Sequence, residues 1–136
     1  MIPYQTKSNK LSGNSYGEIR NNAFFVFNRI KKKTKRRPYV RAPYFNKEKI
    51  FFDYFWKHLF QKSPKERCVR LRYFKAAIEV IEKSKNDPIS TENPHKKGEI
   101  LHRFAGFTKN KELFYVQIKQ DKRSGAKYFM SCFPDE

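Results

Sequence analysis

The feature that most narrows the fold is the alternation in "ELFYVQIKQDKRSGAKYFMSCF". Phe114, Val116 and Ile118 are apolar, and Tyr115, Gln117 and Lys119 between them are polar or amphipathic. After Arg123-Ser124-Gly125, a second run sets Lys127 and Ser131 among Tyr128, Phe129, Met130 and Phe133. Period-two patterning on both sides of a Gly-containing turn specifies a β-hairpin with one buried face, because a one-residue slip would send the apolar set into water. The other face is then either hydrated surface or a site.

"EILHRFAGFT" supplies a third alternating segment, so strands are expected at 99–108, 112–120 and 126–133, with Pro134 stopping the last. Upstream, Ile50–Phe52 suits a short strand, but Phe51, Tyr54, Phe55, His58 and Leu59 also recur at helical spacing, which predicts a helix from about Asp53 with Asp53 as its N-cap. "SPKE" opens a second helix, with Ser63 capping, Pro64 at the first helical position and Glu66 completing a capping box. Its apolar stripe is Val69, Tyr73, Ala76, Ala77, Val80 and Ile81, running to about Ser84 with a break near Tyr73. Residues 86–98, punctuated by Pro88, Pro94 and Gly98, read as loop. The expectation is an α+β domain over residues 44–136: two helices packed on a small antiparallel β-meander whose second face stays open.

Charge is the main anomaly. The chain carries 31 Lys+Arg against 13 Asp+Glu, a formal net charge of +18. Self-repulsion of that size points to a polyanionic partner, with nucleic acid first because each neutralised phosphate releases counterions. The cations Lys31, Lys32, Lys33, Lys35, Arg36 and Arg37 crowd one short stretch. Residues 1–43 are expected to form a basic N-terminal arm, partly disordered, that contacts phosphate. Within it "AFFVFNRI" (23–30) is β-prone and suits an edge strand, or else an ordered arm docked on the core, and residues 1–22 read as flexible. Arg67, Arg70 and Arg72 on the second helix are further phosphate contacts or surface charge.

Other classes find little support. No apolar run approaches the ~20 residues of a membrane span, and the N-terminus lacks a signal-type apolar region, so a cytoplasmic location without membrane attachment is expected. Cys68 and Cys132 form no CxxC pair and read as buried thiols in a reducing compartment rather than a disulfide framework or zinc site. Asp53, Asp87, Asp121, Glu99 and Glu112 are scattered without the spacing of a magnesium site. Phosphate-binding loops, nucleophile elbows and zinc-protease motifs are missing. Neither metal nor cofactor is expected.

Chemistry concentrates on the open sheet face. Ile100, His102 and Phe104 share one side of their strand, and Leu101, Arg103 and Ala105 the other, so only one of His102 and Arg103 meets the Tyr115, Gln117, Lys119 face. The sequence does not fix the register, and both stay candidates. With Ser131, Thr108 and Lys127 nearby, this inventory suits metal-independent RNA cleavage. A 2′-hydroxyl attacks its own phosphate, His102 moves the proton, and Arg103 and Lys119 stabilise the phosphorane. Tyr115 stacks a base, or with Ser131 orients substrate; Gln117 and Lys127 hold the backbone. Each residue also has a plainer role: His102 as a hydrogen-bonded core histidine, Arg103, Lys119 and Lys127 as solvated surface, His58 as structural and His95 as exposed.

The block "EILHRFAGFTKNKELFYVQIKQDKRSGAKYFMSCFP", preceded by "DYFWKHLFQKSPKERCVRLRYFKAAIEVI", resembles the phage- and plasmid-associated branch of the barnase–EndoU–colicin–RelE (BECR) superfamily. The resemblance covers roughly residues 44–134. It rests on the order helix, helix, meander, on "HRF-G-T", and on "E-FYVQIK-D" followed by "KYF-S-FP". It implies a small metal-independent endoribonuclease, toxin-like or phage-derived, with His102, Arg103, Thr108, Lys119 and Ser131 at the matched positions. It also implies RNA, free or ribosome-bound, as partner, and for a toxin a small acidic antitoxin. The alternatives are a non-catalytic basic RNA- or DNA-binding module and a structural phage or ribosome-associated protein.

Overall fold

The computed structural model describes residues 1–136. The two-helix meander proves too simple. Four helices cover one face of a seven-stranded mixed sheet. The strands are β1 (Tyr4–Gln5), β2 (Tyr39–Ala42), β3 (Glu48–Phe51), β4 (Ile89–Glu92), β5 (Glu99–Phe107), β6 (Leu113–Asp121) and β7 (Lys127–Pro134). The helices are α1 (Tyr16–Thr34), α2 (Phe55–Phe60), α3 (Pro64–Leu71) and α4 (Phe74–Lys83). The sheet order is β1-β5-β6-β7-β3-β2, with β4 also on β5. Two pairings are parallel, β1 with β5 and β3 with β7. The expected meander is its centre, β5-β6-β7.

The N-terminal segment departs most from expectation. "AFFVFNRI" is not an edge strand but the middle of α1. Ser15 caps that helix, its Oγ accepting from the Glu18 N–H at 3.2 Å, while Glu18 reaches back to the Asn14 N–H at 3.0 Å. Ile19, Ala23 and Phe27 are buried four residues apart, a helical stripe that outweighs the local β-propensity. The basic run ends α1, where Lys31, Lys32 and Lys33 meet the negative end of the helix dipole. Residues 1–15 are strapped down as well. Arg72 donates to the Leu11 and Gly13 carbonyls at 3.1 and 3.0 Å, and Glu79 accepts from the Lys7 N–H and the Ser8 hydroxyl at 2.8 and 2.7 Å.

The second predicted helix breaks at Arg72–Tyr73 into α3 and α4, and the carbonyl freed at Arg72 accepts from the Leu11 N–H at 2.7 Å. Ser63 caps α3 as expected, accepting from the Glu66 N–H at 3.2 Å, but the Glu66 carboxylate turns to Arg70 instead of closing a capping box. Asp53 does not cap α2, whose N-cap is Tyr54; its carboxylate takes a bidentate pair from Arg37. The predicted loop 86–98 contains β4, a fully exposed strand with no apolar alternation to mark it.

α4 packs on β2, β5 and β6, α2 and α3 on β7, and α1 over α3 and α4. Phe55, Phe74, Phe114 and Phe129 are fully buried between the layers. Gly106 lets the layers close: a Cβ there would meet Val80 Cγ2 at 2.7 Å and the Phe114 ring at 2.9 Å. No helix is long and apolar enough to cross a membrane.

Candidate nucleic-acid interface

Register assigns every sheet residue to a side, because directly opposed residues share a face. His102 opposes Ile118, which opposes Phe129, so His102 lies on the helix-covered side. Arg103 opposes Gln117, which opposes Ser131, on the open side. Ala105, Tyr115 and Phe133 make the next open-side row, and Leu101, Lys119, Tyr128, Phe51 and Tyr39 the row on the other flank. A β-bulge inserts Met130 between the partners of Gln117 and Ile118. It allows Phe129 and Cys132, three residues apart, to be fully buried on the same side.

The acid/base assignment of His102 is therefore corrected. Its Nδ1 accepts from Ser90 Oγ at 2.6 Å and its Nε2 donates to Gln120 Oε1 at 2.8 Å, with the Phe45 ring 5.0 Å away. Both ring nitrogens are engaged, the residue is 8% exposed, and the sheet separates it from the open face. Burial, with help from Lys127, holds its pKa below the ordinary imidazole value against the opposing pull of Gln120. His102 is a neutral core histidine. Lys127 also belongs to that side: its ammonium donates to Glu48 at 2.6 Å and to the Gly125 carbonyl at 3.1 Å. Thr108 is buried in the β5–β6 turn, its Oγ1 accepting from the Glu112 N–H.

Five predicted residues do share the open face: Arg103, Lys119, Tyr115, Gln117 and Ser131. Arg70 joins them from α3, its Nη1 donating to Ser131 Oγ at 2.7 Å and its Nε to Glu66 at 2.9 Å. The neighbouring arginines do not. Arg67 donates to the Phe60 carbonyl at the end of α2, and Arg72 straps the N-terminus. Tyr115 donates to Asp135, which raises its phenol pKa, burial adding to the shift.

Cations alternate with aromatic rings across this face. Arg41 and Lys49 lie 5.4 and 4.7 Å from the Tyr39 ring centre. Arg37 lies 3.8 Å from that of Phe51 and 5.7 Å from that of Tyr128. Lys119 sits 3.6 Å over Tyr54, and Arg103 is 5.6 Å from Tyr115 and 5.1 Å from Phe133. Of the basic run only Arg37 reaches this face; Lys31 lies over the core ring of Phe27 and Lys33 beside α4. The sequence marks none of Tyr39, Arg41, Lys49, Phe51, Tyr54, Tyr128 and Phe133 as a site residue. Their signal is the Tyr39-x-Arg41 and Lys49-x-Phe51 alternation, too short to stand out.

His58 is a further residue the sequence reading set aside. It stands on α2 one turn beyond Tyr54, its N–H donating to the Tyr54 carbonyl at 2.9 Å. Burial lowers its pKa, and the positive charges of Lys62, Arg70 and Lys119 lower it further. No three His, Cys, Asp or Glu side chains cluster as metal ligands.

Comparison with family models, curated proteins and solved structures gave no match to this chain.

Proposed function

We propose that this chain is an RNA-binding protein of the ribonuclease type, holding single-stranded RNA on the open sheet face and cleaving it there without a metal ion. The observation that carries the reading is the tiling of that face by Arg41, Arg37, Lys119 and Arg103 over Tyr39, Phe51, Tyr54, Tyr115 and Phe133. Single-stranded nucleic acids are held by this combination, cations tracking the backbone while bases stack on rings. The formal charge of +18 supplies the long-range attraction.

For cleavage, Arg103 and Arg70 stabilise the charge that grows on the phosphorane oxygens, Gln117 orients the backbone, and the buried Ser131 holds the Arg70 guanidinium in place. His58 takes the acid/base role that His102 cannot fill. Its depressed pKa keeps it neutral near pH 7, the form that accepts the 2′-hydroxyl proton. The bond from the 2′ oxygen to phosphorus forms as the bond to the 5′ oxygen breaks; the departing oxygen takes a proton from water, and the hydroxide so formed recovers the proton held by His58. The products carry a 2′,3′-cyclic phosphate and a 5′-hydroxyl.

Binding without cleavage is the second reading, favoured by the burial of His102 with both nitrogens occupied. Mixed-sequence RNA incubated with the protein in excess EDTA separates the two. Cyclic-phosphate ends that vanish in His58→Gln, with RNA affinity retained, support the ribonuclease. Intact RNA held with steep salt dependence, ribosome-bound RNA included as substrate, leaves the binding module. If RNA is neither cut nor held, both readings fall.

A further inference from the structure

At one end of the open face a pocket of about 530 Å³ opens between the β6–β7 turn, the turn entering β5, and Tyr54. Its size falls within the roughly 300–1,000 Å³ of small-molecule sites. Five cations and two carboxylates line it. The carboxylates are already used. Glu99 accepts from Asn93 and Lys119 at 3.1 Å each and pairs with Lys96 at 3.2 Å. Asp121 accepts from Ser124 Oγ at 2.8 Å and the Arg123 N–H at 3.2 Å within its own turn. Burial works against the charged form of Glu99, but these donors outweigh it and hold the group ionised. Glu99 therefore positions two lysines and Asp121 braces its own turn, while Lys97 and Arg123 enter none of the ion pairs and stay exposed at the mouth.

One wall is aromatic. The rings of Tyr54 and Tyr128 meet at 88° with centres 4.9 Å apart, so they form a corner. A planar heterocycle fits such a corner with its face on one ring and its edge against the other. Both rings stay partly exposed, Tyr54 at 39%. The combination is specific: cations for a phosphate, an aromatic corner for a base, and a pocket that admits one residue rather than a helix. On β6, Lys119 lies two residues from Gln117, the partner of Arg103, about 7 Å along the strand. The pocket thus begins one row beyond the Arg103–Arg70 cluster and continues the same face.

We infer that this pocket is a subsite for one phosphate-bearing nucleotide of single-stranded RNA, its base in the Tyr54–Tyr128 corner and its phosphate held by Lys97 and Arg123. The inference rests on the open-face RNA reading and adds to it that the strand is anchored at its end by an unstacked nucleotide.

The test is a titration of the full chain with AMP, adenosine and inorganic phosphate, followed through the backbone amide signals of Gly98, Arg123 and Ser124. AMP is expected to bind about ten-fold or more tightly than either half alone, since stacking and phosphate contacts act together. Tyr54→Ala and Arg123→Ala should each lower AMP affinity about five-fold or more. Arg123 is exposed in a turn, so its variant keeps the test open should Tyr54→Ala fold poorly. Equal binding of AMP and phosphate, or AMP affinity unchanged in both variants, would overturn the subsite and leave a mere cation cluster. A labelled single-stranded RNA measured alongside tells the two failures apart. If RNA is held while AMP is not, the pocket assignment is wrong and the platform stands; if neither is held, the platform reading falls with it.

Discussion

The guanidiniums of Arg103 and Arg70, one from β5 and the other from α3, lie 5.1 and 5.3 Å from the same ring, that of Phe133. Glu66 offsets the charge of Arg70, but Arg103 enters none of the ion pairs and is exposed. The uncompensated guanidinium of Arg103 is thus free to meet a phosphate. Arg103→Ala should therefore leave stability within about 0.5 kcal/mol of wild type. It should lower the slope of log affinity for single-stranded RNA against log salt by about one. Fluorescence anisotropy over a salt series reads the slope; an unchanged slope would take Arg103 off the phosphate path.

His102 sets a pH dependence of stability. Its folded-state pKa lies below the ordinary imidazole value of about 6.5, so between the two the unfolded chain binds more protons. The stability it contributes is complete above that value and is lost as pH falls toward the folded pKa, and His58 acts in the same direction. The melting temperature should drop from about pH 7.5 to 5.5, and His102→Gln should flatten the drop. Leaving Ser90 or Gln120 without its partner should also cost about 1–3 kcal/mol at pH 7.5. A pH profile unaltered by the substitution would contradict the buried, neutral imidazole.

Gly106→Ala tests the contact between layers. The new methyl would press on Val80 and Phe114, both rigidly packed, for a cost of about 1–3 kcal/mol in urea unfolding. A neutral result would show that α4 rests less tightly on β5.

The two thiols should differ in reactivity. Cys132 is fully buried, burial raises its pKa strongly despite the nearby charge of Arg70, and its Sγ donates to the Arg70 carbonyl at 3.3 Å. Cys68 is partly exposed. A thiol reagent should titrate one group quickly and the second only on unfolding. Two fast thiols would mean that α3 lifts from β7 in solution.

The central hairpin was legible because Phe114, Val116 and Ile118 repeat with the period of a strand, and a strand with one buried face has little other register open to it. The Ser63 cap and the break at Tyr73 were legible because both are written in local residues. The stripe of α1 was present as Ile19, Ala23 and Phe27, but "AFFVF" within it also satisfies a strand, and only packing against α3 and α4 chooses the helix. β1 and β4 carry no pattern, since their partners lie across the sheet on β5.

For the candidate site, strand alternation alone requires His102 and Arg103 to part company and Tyr115, Gln117 and Lys119 to share a side. Backbone pleating imposes both without reference to anything distant. Which side the helices cover, and so which of His102 and Arg103 meets solvent, was decided by tertiary structure. So were the arrival of Arg70, Arg37 and Tyr54 at that face and the withdrawal of Lys127 to Glu48. Those choices depend on burying the apolar stripes of α2, α3 and α4 against Phe129, Val116 and Phe104, a layer-scale gain that local residue order does not encode.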